Sequence, residues 1–252
     1  MAENAPPRAN LVRARHSAVE FRSSESGMPT LFGHFAVFDR FTEIDSFFEG
    51  HFLERIAPGA FRKTFKENRD RIRALFQHGR DPQIGDKPLG PIEELREEEA
   101  GAYYEVPLLD TAYNRELIPG LEAGLYGASF RFEVIREDFD QEPKVSVDNP
   151  KRLPERTLKE VRLHEFGPVT FPAYAEATAD VRSLTDHFIF EELARSPERA
   201  RELLHLDIAT LVPERDNAPS DTDAGVISTS DQERRESRDY LTDPKEVDVW
   251  QL

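Results

Sequence analysis

Cysteine is absent from all 252 residues. That excludes disulfides, thiolate metal sites and cysteine nucleophiles, and fits a reducing compartment. Long apolar runs are missing as well, so no segment has the length to cross a membrane as a helix. Residues 1–15 carry arginines but no apolar stretch, which predicts no secretory signal. A basic excess is lacking: 33 Lys and Arg stand against 49 Asp and Glu, and the formal net charge of −16 argues against non-specific binding to nucleic acid. Familiar catalytic signatures are lacking too, with no Gly-x-Ser-x-Gly elbow, no glycine-rich phosphate loop and no His-Glu-x-x-His zinc motif. Asp39, Asp45, Glu49 and Glu54 are irregularly spaced and have no companion histidine pattern, so neither a metal nor an organic cofactor is expected.

The acidity present is uneven. Residues 183–252 hold 17 acidic and 8 basic side chains, which is −9 of the total −16. Within them, residues 188–195 and 198–206 have amphipathic helical patterns. Residues 213–234 are rich in Asp, Ser, Thr and Pro and read as disordered, and the single tryptophan, Trp250, lies in the last few residues. Residues 1–15 have no periodicity and also read as disordered. The division expected is therefore 1–15, a domain over 16–183, and an acidic tail over 184–252.

In the domain, residues 16–21 alternate and residues 31–38 are apolar on both faces, the pattern of a strand buried on both sides. Pro58 opens a short helix reaching about Asn68. Residues 71–77 read as a strand with Ile72, Ala74 and Phe76 on one side, delivering His78 at its end. Strands follow over 89–96 and 102–109. Thr111 caps a helix that Pro119 must break or kink. Further strands run from Ser129 to about Asp138 and over 156–166, separated by a polar loop over 139–154. Strands outnumber helices and lack regular βαβ alternation, so the expected class is mainly β with some α, an antiparallel barrel or folded sheet with flanking helices.

In residues 128–134, Ala128, Phe130, Phe132 and Val134 point one way, while Ser129, Arg131 and Glu133 point the other. A serine on the wet face of a strand needs no special explanation. To be a nucleophile it needs a base within reach and a third group to orient that base. Among seven histidines, His78 stands out, because a strand presents it at a loop edge before Gly79. His34 sits in an apolar run and suits a core histidine, while His187 and His205 fall in the tail. Leu163-His164-Glu165-Phe166 offers an imidazole or a carboxylate as the third group. Strand parity does not separate the two: Val161 and Leu163 turn Glu165 inward, whereas Phe166 turns His164 inward. Both hold only if the strand bulges near Leu163.

Six segments in order carry a resemblance over about residues 17–183. They are Gly33-His34-Phe35-Ala36-Val37-Phe38; Ile56-Ala57-Pro58-Gly59-Ala60-Phe61; Leu75-Phe76-Gln77-His78; Pro88-Leu89-Gly90; residues 124–132, with Gly127-Ala128-Ser129-Phe130-Arg131; and residues 165–174, with Glu165-Phe166-Gly167-Pro168. The chain resembles the caudovirus prohead maturation serine proteases, whose fold is related to herpesvirus assemblin. The resemblance implies a herpesvirus-protease-type antiparallel β-barrel and a serine endopeptidase that trims scaffold and major capsid protein inside the assembling procapsid in the host cytoplasm. It also allows a homodimer and self-processing near residues 213–234. It places the nucleophile on Ser129 and the general base on His78. It aligns a carboxylate with Glu165, while the herpesvirus enzymes use a second histidine, which keeps His164 as the alternative third member. By the same analogy, the oxyanion donors follow Pro168. Two departures stand out: Gly79 where the family often has Asp, and Gly167 where it often has Ser. A non-catalytic capsid-assembly or scaffold-binding protein of the same fold, using its acidic tail, is the competing reading.

Overall fold

The computed structural model describes residues 5–23, 27–170 and 181–196. In chain order the elements are β1 (Leu11–Ala18), β2 (Glu20–Arg22), β3 (Thr30–Val37), β4 (Thr42–Ser46), β5 (Gly50–Ile56), α1 (Arg62–Glu67), β6 (Arg73–Ala74), β7 (Glu94–Glu97), β8 (Gly101–Pro107), α2 (Ala112–Glu122), β9 (Tyr126–Asp140), β10 (Glu155–Thr170), β11 (Val181–Ser183) and α3 (Thr185–Arg195). The tail helix over 198–206, the 213–234 stretch and Trp250 lie outside the described residues, as does the segment expected to hold the oxyanion donors from residue 171 onward.

Among the described residues the strands form two open sheets rather than the closed barrel expected. One has the order β11-β1-β9-β10-β5-β4 with β6 also on β10; the other is β2-β3-β8-β7. The sheets meet through side chains and not through a shared hydrogen-bond ladder. Phe35 of β3 packs 5.3 Å from Phe130 of β9 and 5.0 Å from Phe166 of β10, and Tyr104 of β8 lies 4.9 Å from Phe166. This aromatic layer joins the two sheets in one core, where offset and edge-on ring contacts add to the burial of large apolar surface. The pairing is mostly antiparallel, as expected, but β10 runs parallel to β5 at one end and to β6 at the other.

The first strand begins at Leu11, inside the stretch expected to be disordered. Leu11 and Val12 are fully buried, and that burial outweighs the local scarcity of pattern. The expected 16–21 strand is split: β1 pairs with β9, and after Val19 the chain passes to the other sheet as β2. The helix capped by Thr111, whose hydroxyl accepts from the Asn114 N–H, runs through Pro119 to Glu122. Proline removes one hydrogen bond, and buried Leu117 and Leu121 on either side of it hold the helix together.

Candidate active site

Strands β9 and β10 pair along most of their lengths, with Phe130 opposite Phe166 and Ser129 opposite Gly167. The register slips between Leu163, which faces Phe132, and Glu165, which faces Arg131. His164 is therefore the extra residue of a β-bulge. The bulge resolves the parity conflict: Leu163 and Phe166 both enter the aromatic core, while Glu165 turns to the face of Ser129 and Arg131.

His78 reaches that face from an unusual turn. The strand expected over 71–77 is only β6, and it gives way to a 3-10 turn, Phe76–Gly79. Gln77 and His78 both have left-handed backbone, with φ of 50° and 57°, followed by Gly79 at 73°. Left-handed conformation costs a non-glycine residue about 1–2 kcal/mol, so two in succession mark a turn held by its surroundings. Gly79 continues it without that cost. The other departure from the family pattern is also enforced: a Cβ on Gly167 would lie 1.9 Å from the Leu75 carbonyl oxygen, so serine does not fit this backbone.

The three side chains form a hydrogen-bonded series. Glu165 Oε1 lies 2.8 Å from His78 Nδ1, and His78 Nε2 lies 3.0 Å from Ser129 Oγ. Ser129 Oγ also donates to the Arg13 carbonyl at 2.9 Å, so one hydroxyl proton has two acceptors. Burial alone would push the Glu165 carboxyl up; the charge and hydrogen bond of His78, then the charge of Arg131, hold it below the usual carboxylate range. A carboxylate on Nδ1 selects the tautomer that leaves Nε2 free to accept the serine proton. His164 is half-buried, and burial followed by the charge of Arg131 pushes its imidazole down. Among the described residues, the carboxylate of Glu165 and not His164 is the side-chain partner of His78 Nδ1.

Ser129 is not on a wet face: it is 0 % exposed. The face opposite the aromatic core is covered by the His78 turn and by α3, while β1 flanks Ser129 as the paired neighbour of β9. Helix α3 starts three residues earlier than its pattern suggested. Its first turn is tied down, because Thr185 accepts from the Val12 N–H and Asp186 accepts from Ser46 and the N–H groups of Phe47 and Phe48. Phe188 meets the His78 ring edge-on at 6.2 Å. The Arg80 guanidinium stacks 3.4 Å over Phe188, donates to its carbonyl and pairs with Glu191 and Glu192. A cavity of about 510 Å³ remains between the turn and the helix, lined by His78, Val12, Val169, Leu184 and Phe188 among others.

Beneath the serine lies a second cluster that sequence reasoning missed. Arg13, 1 % exposed, donates in paired fashion to Glu49 at 2.8 and 2.6 Å and to Glu54 at 2.7 and 3.0 Å. Arg156 joins Glu54 to Glu137. Their charges are far apart in sequence, and only Leu11-Val12 next to Arg13 hinted at burial. His34 and His51 do not reach the site: His34, half-buried rather than in the core, bonds Glu98, and His51 bonds Glu43.

The profile of caudovirus prohead serine proteases matches residues 17–188. Among solved structures, the bacteriophage T4 capsid assembly protease aligns with a TM-score of 0.41 and 12% identity, over 65% of this chain and 98% of that chain. A comparison with curated protein sequences returns no match. The profile spans more than half of the chain and takes in Ser129, His78 and Glu165, and on that match the chain belongs to the caudovirus prohead serine protease family.

Proposed function

We propose that the chain is a serine endopeptidase that trims scaffold and major capsid protein within the procapsid and processes itself, with Ser129 as nucleophile, His78 as general base and Glu165 as the orienting carboxylate. The observation that carries this is the unbroken series from Glu165 Oε1 through both ring nitrogens of His78 to Ser129 Oγ, at 2.8 and 3.0 Å. Ser129 Oγ attacks the scissile carbonyl carbon as its proton passes to His78 Nε2. The C–N bond then breaks as Nε2 returns that proton to the leaving amine, and water repeats the cycle on the ester. Glu165 stays ionised throughout and stabilises the imidazolium. The strained turn fixes where His78 points, so little ordering remains for the reacting step.

A fluorophosphonate probe tests the chemistry directly. The wild-type chain should be labelled, and neither Ser129→Ala nor His78→Gln should be. Co-expression with the phage's own major capsid protein should yield a shortened capsid band that Ser129→Ala abolishes. Complete burial of Ser129 favours the second reading, an assembly protein of the same fold that binds scaffold without cutting it. Absence of labelling in folded wild-type protein would establish that reading instead.

A further inference from the structure

Glu165 presents a problem of charge. It is 2 % exposed, and its second oxygen, Oε2, is buried with no hydrogen-bond partner among the described residues. A carboxylate in that position tends to take up a proton. His78 opposes this by its charge only when it is itself protonated, yet a general base must rest neutral. A neutral imidazole offers Glu165 a hydrogen bond and no charge.

The groups facing Glu165 come from four places. The turn supplies His78. Strand β10 supplies His164, half-buried in the bulge. Strand β6 brings Arg73 into register with Glu165, but that guanidinium donates to the carbonyls of Asp70 and Ile72. Strand β9 supplies Arg131, the direct cross-strand neighbour of Glu165, with Nε 3.5 Å from Oε1. The Arg131 guanidinium also lies 5.6 Å from the ring of Phe188, which confines it between the carboxylate and α3. An arginine keeps its charge at every working pH.

We infer that Arg131 is a positioning residue for the relay: it keeps Glu165 ionised while His78 is neutral, and so preserves the bond that aims His78 at Ser129. This rests on reading Ser129, His78 and Glu165 as the catalytic series. Without the cation, the proton affinity of Glu165 rises. A protonated Glu165 no longer accepts from Nδ1, and the ring is free to adopt the wrong tautomer.

The test is a double-mutant cycle on the full chain, read as the second-order rate of fluorophosphonate labelling. Arg131→Met should lose about tenfold or more, the equivalent of about 1.4 kcal/mol of lost support for the ionised carboxylate. Arg131→Lys should recover most of it. In a Glu165→Gln background, Arg131→Met should change the rate by less than about twofold, because the group it acts through is gone. Equal losses in both backgrounds would overturn the inference and assign Arg131 to packing against Phe188. A second measurement needs no catalysis: in ¹³C-glutamate-labelled Ser129→Ala protein, adding Arg131→Met should move the Glu165 carboxyl titration to higher pH, and an unmoved titration would overturn the inference as well. If wild-type protein is not labelled at all, the catalytic reading fails, and this titration still decides whether Arg131 holds Glu165.

Discussion

Two buried polar clusters meet at residue 13, and they are built on opposite principles. The Arg13 side chain belongs to a saturated set, with both nitrogens of its fork paired to Glu49 and further bonds to Glu54, Ser183 and Thr185. Its carbonyl, one bond network away, accepts from Ser129 in a set that is left incomplete. There, one serine proton has two acceptors, one carboxylate oxygen lacks a partner among the described residues, and two non-glycine residues are held in left-handed backbone. A saturated cluster has one arrangement and holds β1, the β4–β5 turn and the start of α3 together. An incomplete one keeps spare hydrogen-bonding capacity, which proton transfer requires. Burial is common to both; completeness separates a structural ion cluster from a candidate site.

The largest effect should come from breaking the saturated set. Arg13→Met strands Glu49 and Glu54 without their main cation, and should cost about 3–5 kcal/mol of folding stability, as for other broken buried pairs. Urea denaturation measures it, and an unchanged midpoint would show that the two sets are not distinct in this way. The converse variant, Glu165→Gln, should lower the urea midpoint less than Arg13→Met does while lowering kcat on the order of 10²–10⁴, as for neutralising a triad carboxylate. Peptide kinetics beside denaturation would separate the two outcomes.

Acid should weaken both clusters together. Burial would raise the Glu49 carboxyl, but the charge and hydrogen bonds of Arg13 hold it below its ordinary value of 4.5, and Glu165 is likewise held down. Groups with depressed folded-state values contribute stability that is fully present above the ordinary value and is lost as pH falls through the folded one. Stability should therefore be flat near neutrality and decline below about pH 4.5. Urea midpoints at a series of pH values would show this, and in Arg13→Met the Glu49 share of the decline should vanish. The smallest effect is expected for His164→Gln: the bulge comes from the extra residue and not from its ring, so labelling rate and stability should both stay near wild type. A loss as great as that of Glu165→Gln would move the third position to His164.

Much of this was legible locally. The alternation through residues 128–134 set Ser129 and Arg131 on one face and the phenylalanines on the other, because successive strand residues point to opposite sides. The parity conflict at Leu163 and Phe166 demanded a bulge, and the register slips there. His78 drew notice from its place between a short apolar run and Gly79. What sequence reasoning got wrong was decided by chain segments distant in sequence. Ser129 looked wet because its strand face is polar, and it is dry because the His78 turn and α3 converge over that face and β1 pairs along its edge. Leu11–Ala18 looked unstructured in its first half because its order comes from Glu49, Glu54 and β9, which no local window contains.

By itself, then, the sequence determined which side chains share a face and where a strand must bulge, since both follow from the two-residue period of extended chain. Whether that face meets water, which cation serves which carboxylate, and whether the sheets close were decided only by tertiary structure. Those outcomes depend on burial and on charges brought within a few ångströms of one another by residues as far as 129 positions apart.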